Sequence, residues 1–100
     1  MEILFEYHDV AKSERLEAHA KEKLETLLTR FDFVVRADVF FKTENTTSDQ
    51  TGKICGIRLS APGPRLFSES SFDNFYDAVS KTVSELSRQL EKRKDKMKTY

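Results

Sequence analysis

The sequence predicts an α+β fold: a single β-α-β-β-β-α domain, with a four-stranded sheet and two helices packed on one face. Three observations carry this. Short segments of alternating apolar residues occur four times, two longer segments repeat apolar residues every three or four positions, and the turn signals fall between these segments. The 100 residues, read as one domain over 1–100, are enough for a core without staples.

Residues 2–8, EILFEYH, place Ile3, Phe5 and Tyr7 on one face and predict a strand. Ser13 is suited to cap the helix that follows. In that helix Leu16, Ala20, Leu24, Leu27, Leu28 and Phe31 form one stripe, which Asp32 and the β-branched Val34 and Val35 end. Residues 34–43 predict a second strand, with Val35, Ala37, Val39 and Phe41 toward the core. Residues 43–52, TENTTSDQTG, are a polar loop. Residues 53–61 predict a third strand with Cys55, Ile57 and Leu59 inward. Pro62-Gly63-Pro64 is a turn, and residues 65–70 are a short fourth strand. Ser71 or Asp73 then caps a long helix striped by Tyr76, Val79, Val83, Leu86, Leu90 and Met97.

A strand–helix–strand crossover makes the first two strands parallel, and hairpins add the other two. Each helix has one apolar stripe, so both are expected on the same sheet face. The other face is then partly bare, with Phe40, Leu66 and Phe72 expected on it.

The chain carries 17 basic and 17 acidic residues, so net charge gives no reason to expect a polyanionic partner. Its distribution does. RQLEKRKDKMK, residues 88–98, holds six basic residues against two acidic ones. At 100° per residue, Lys81, Arg88 and Lys92 fall within about 40° of one another, opposite the apolar stripe. Asp95 lies on the same side. On the first helix His19, Lys23, Thr26 and Arg30 form one flank. The ordinary reading of such residues is a solvated helix surface. The functional reading is a surface that tracks nucleic-acid phosphates.

Other chemistry is thinly represented. The lone Cys55 excludes an internal disulfide and suits a reducing compartment; its alternation with Ile57 and Leu59 makes it a buried small hydrophobe. No apolar run reaches the roughly 18–20 residues of a membrane span, and no signal peptide is visible at the start, so a cytoplasmic protein is expected. His8 and His19 lack metal-ligand spacing, and Gly52, Gly56 and Gly63 form no phosphate loop. Glu6, Asp9 and Glu69 are carboxylates of a kind that occurs by chance in a chain this acidic. No catalytic residue, metal, cofactor or small-molecule substrate is expected.

NFYDAVSKTVSELSRQLEKRKDKMK resembles the ribosome hibernation-promoting factor family, also called the ribosome-associated inhibitor, sigma-54 modulation or S30EA-type family, in its short form. Tyr76, Ala78, Val79, Leu86, Arg88, Gln89, Leu90, Lys92, Lys94 and Lys96 match the family's D-M-Y-x-A-I and K-L-x-R-Q-L-x-K-x-K-x-K pattern. HDVAKSERLEAHAKEKLETLLTRFD is similar to the family's first helix at Val10, Ser13, Leu16, Lys23, Leu24, Leu27, Phe31 and Asp32. Thr26 and Glu85 stand where the family has lysine. The resemblance implies a ribosome hibernation factor. Such a protein binds the small ribosomal subunit in the mRNA/tRNA decoding channel through basic helix faces and inhibits translation in idle or stressed cells. It implies rRNA contacts by Lys23, Arg88, Gln89, Lys92 and Lys94; helix geometry alone adds Arg30 and Lys81. Ribosome modulation factor, acting in ribosome dimers, is a further partner the resemblance leaves open. The alternative is a protein-interaction module that uses the bare sheet face without binding RNA, and a small enzyme comes third.

Overall fold

A computed structural model describes residues 2–97; Lys98 of the basic terminal run lies outside them. The order is β1 (Glu2–His8), α1 (Glu14–Arg30), β2 (Arg36–Thr43), β3 (Lys53–Ser60), β4 (Leu66–Phe72) and α2 (Phe75–Met97). The strands lie in sequence order in one sheet. β1 runs parallel to β2, with Phe5 opposite Val39; β3 and β4 follow antiparallel. The α+β fold is as expected.

Alternation decides what each strand buries. Ala37, Val39, Phe41, Cys55, Ile57, Leu59 and Leu66 point to one side, and there meet Leu16, Ala20, Leu24, Leu27, Leu28 and Phe31 of the first helical segment and Ala78, Val79, Leu86 and Leu90 of α2. Both helices therefore cover the same face. Phe41 is the hub: its ring stacks on Phe5 at 6.3 Å, tilts against Tyr7 at 5.6 Å and takes Phe75 edge-on at 5.5 Å. The Tyr7 hydroxyl donates to Glu17 of α1 at 2.6 Å, tying β1 to that helix. Burial and then the Glu17 bond push the Tyr7 phenol up to about 12.

Ser13 caps α1 as expected, its Oγ accepting from the Leu16 N–H at 3.1 Å. At α2 the cap is neither Ser71 nor Asp73 but Asn74, whose Oδ1 accepts from the Asp77 N–H at 2.8 Å. Ser71 belongs to β4 and accepts from the Gly52 N–H at 2.8 Å.

Five further expectations are corrected. Val35 is 64% exposed while Val34 is buried, because β2 starts only at Arg36 and the Val34 N–H bonds back to the Phe31 carbonyl. Leu66 is buried in the core opposite Leu59, and Phe72 packs against the core's rim. The outer face instead carries Phe40 with Phe67. Tyr76 is exposed and Met97 only half-buried; Ala78 and Thr82 take the inner positions. Thr82 is accommodated in the core because its hydroxyl donates to the Cys55 carbonyl at 3.1 Å.

Candidate nucleic-acid interface

The α1 flank of Lys23, Thr26 and Arg30 does not face open solvent alone. It lines a groove of about 400 Å³ whose other wall is Val83, Ser84, Ser87 and Arg88 of α2. Small residues make this groove. Ser84 and Ser87 carry little bulk where the helices pass, and Thr26 folds its hydroxyl back onto the Glu22 carbonyl at 3.1 Å. Three cations, Lys23, Arg30 and Arg88, thus line one concavity from two helices, with Glu22 the acidic residue of the lining.

The remaining predicted residues are placed around it. Arg30 bonds Glu91 at 2.6 Å and stacks over Phe31; Lys94 lies over the same ring at 5.8 Å. Lys81 pairs with Glu85 at 3.1 Å, and Glu85 also reaches Arg88 at 3.7 Å. Glu85, where the family has lysine, therefore offsets two of the cations. Both Arg30 and Glu91 are about half exposed, so their pair contributes only about 0.2–1 kcal/mol. A phosphate can displace such a carboxylate at little cost. Lys23 and Lys92 have no acidic partner among the described residues.

Gln89 and Lys92 turn away from the groove. They border a shallow depression with Leu66, Arg93 and Lys96 on the β4 side of α2. Gln89 donates to the Phe67 carbonyl at 3.0 Å, so at least part of its role is to hold β4. The predicted residues of α2 are thus divided between two flanks of that helix.

One residue of the basic run was not singled out by its sequence position. Arg93 donates to the carbonyls of Pro62 at 2.7 Å and Pro64 at 2.9 Å. Gly63 sits beneath it at φ +94°, and a Cβ there would meet the guanidinium at 3.1 Å. Arg93 is a clamp on the turn. The only sequence signal was an arginine three residues after the last buried leucine, too little to predict a partner some thirty residues away.

The burial of Cys55, expected from its alternation with Ile57 and Leu59, is borne out. Cys55 is fully buried, and desolvation pushes its thiol up to about 12, the wrong direction for a nucleophile. His19 packs edge-on against Tyr76 at 5.0 Å. Among the described residues no group of three or more histidine, cysteine or acidic side chains is arranged to hold a metal, and no helix is long and apolar enough to cross a membrane.

A four-stranded mixed sheet with two helices on one face, in the order β-α-β-β-β-α, defines a small α+β fold. The chain belongs to the family described as sigma 54 modulation protein / S30EA ribosomal protein, which matches residues 3–98. This is a ribosome-associated, non-enzymatic family. The fold is similar to that of a ribosomal subunit interface protein from Coxiella burnetii, with a TM-score of 0.82 and 22% identity, covering 95% of this chain and 99% of that one. It is also similar to the N-terminal domain of Thermus thermophilus Protein Y, with a TM-score of 0.73 and 16% identity, covering 91% and 93%. No curated protein matches the chain.

Proposed function

We propose that this chain is a cytoplasmic ribosome hibernation factor that binds the small ribosomal subunit in its decoding channel and inhibits translation in idle or stressed cells. The observation that carries the reading is the interhelical groove lined by Lys23, Arg30 and Arg88 in a chain of the S30EA family. Lys81, Gln89, Lys92 and Lys94 extend the rRNA-binding surface along α2. Arg suits bidentate phosphate contact and Lys a point-charge contact, so Arg88 is the residue with the most to contribute. Neutral overall charge limits adsorption to other RNA, while the local cations retain their phosphate contacts. Ribosome modulation factor fits this reading as an additional partner in ribosome dimers.

The test is binding to isolated small subunits across a salt series, for wild type and for Arg88→Ala/Lys92→Ala/Lys94→Ala. If the three cations neutralise three phosphates, the log–log salt slope flattens by roughly two to three units. Melting curves are expected to shift by no more than about 1 kcal/mol, since Arg88 and Lys92 are exposed and Lys94 loses only its contact over the Phe31 ring. An unchanged slope in a folded triple variant would leave α2 as a solvated helix and remove the reading.

A further inference from the structure

The sheet face away from the helices carries an aromatic pair built into its centre. Gly56 of β3 lies opposite Phe40 of β2, and a Cβ at Gly56 would fall 2.0 Å from the Phe40 ring. The missing side chain lets that ring lie flat over the strand. Phe67 of β4 stacks on it at 6.0 Å with 14° between the planes, and Phe67 is 42% exposed. Arg58 lies directly across from Phe67, and Arg65, just before β4, lines the same cavity as Arg58 and Phe40. Beside the pair is a cavity of about 240 Å³ lined by Phe40, Ser60, Arg36, Arg58 and Arg65, with Glu6 and Asp38.

The charges on this face are unevenly matched. Arg36 is held by Asp38 at 2.9 Å, with Glu2 and Glu6 adding to its charge stabilisation. Lys42 pairs with Glu69 at 3.2 Å. Arg58 and Arg65 have no carboxylate partner among the described residues.

We propose that this outer face binds an unpaired RNA strand, with a base stacking on Phe67 and a phosphate held by Arg58 and Arg65. An exposed ring offers any base a π-face, and stacking of this kind requires the base to be unpaired. Two guanidiniums without a short ion pair, in a cavity where three arginines outnumber Glu6 and Asp38, match a backbone phosphate. The cavity is below the usual 300–1,000 Å³ of a small-molecule pocket, so it suits one phosphate of a passing strand rather than an enclosed metabolite. Protein interfaces are depleted of charge at their core, whereas here charged groups surround two rings. This surface is separate from the interhelical groove and does not depend on it.

The experiment is fluorescence anisotropy of the whole protein with a fluorescein-labelled ten-residue oligouridylate. Phe67→Ala is expected to weaken binding about fivefold or more, and Phe67→Tyr to retain it. Arg58→Gln/Arg65→Gln is expected to flatten the log–log salt slope by roughly 0.7, the share of one phosphate on a single strand. Both effects are expected to persist in the Arg88→Ala/Lys92→Ala/Lys94→Ala background. Melting curves check that each variant is folded, and the arginine pair, being exposed, keeps the test open if Phe67→Ala is not. Wild-type affinity in the Phe67→Ala and arginine variants, or no affinity of the protein for the oligomer, overturns the proposal. Displacement by a hairpin duplex as effective as by the single strand overturns it too. Displacement by a poly-glutamate peptide with equal effect replaces it with an acidic protein partner.

Discussion

The two ends of α2 are held by different forces. From Phe75 to Leu90 the helix is docked by Ala78, Val79, Thr82, Leu86 and Leu90, all fully buried, and by the Thr82 bond to the Cys55 carbonyl. From Glu91 to Met97 no residue is buried, and the attachments are polar: Arg30 to Glu91, Arg93 to the Pro62 and Pro64 carbonyls, Lys94 over Phe31. A run of charge that looks uniform in the sequence is therefore divided by task. Arg93 shapes a turn, Glu91 anchors a neighbouring arginine, and Arg88 and Lys92 remain available to a partner.

Substitutions graded by size test this division. Leu86→Ala, in the apolar half, should cost about 2–5 kcal/mol by denaturant unfolding, because it opens a cavity in a filled core. A loss under 1 kcal/mol would mean that half is not core-anchored. Next comes Cys55, beneath the same half. Its thiol rises from an ordinary 9.0 to about 12 on folding. The folded state then binds more protons than the unfolded one between these limits, so stability is complete below about pH 9 and falls as pH rises toward about 12. Unfolding at stepped alkaline pH, compared with Cys55→Ala, should show a steeper decline for wild type. Parallel curves would contradict the burial argument.

In the polar half the effects should be smaller. Arg93→Ala removes two charge-assisted bonds from a half-buried site and should cost about 1 kcal/mol, with faster amide exchange near Gly63. Exchange unchanged around the turn would show that Arg93 does not hold it. The Arg30–Glu91 pair should be smallest, with a coupling of about 0.2–1 kcal/mol in a double-mutant cycle that fades with added salt. A coupling above 2 kcal/mol would mean the pair is too strong for a phosphate to displace.

Much of this was legible because period reports burial. Every residue of the α1 stripe is buried, and the parallel pairing of β1 with β2 follows from the crossover. Errors arose where a pattern was carried through a junction. Alternation cannot be counted back from Arg36 to Val35, since the chain turns there, nor through Pro62-Gly63-Pro64 to Leu66. The α2 stripe was set off-centre by Tyr76, because its true inner positions include Ala78 and Thr82, which do not read as apolar anchors. Of the candidate site, the α1 flank was legible as a helical spacing. That α2 would face it with two serines and form a groove was not, because spacing on one helix does not report its neighbour.

Gly56 and Phe40 are one decision written at two places in the chain. A side chain at 56 has no room while the ring is present, and removing the ring alone uncovers the backbone of a central strand. Neither letter can drift freely without the other. In a library randomised at both positions, folded survivors should therefore be pairs, a small residue with a ring or a larger residue with something slighter opposite, and the two should vary together.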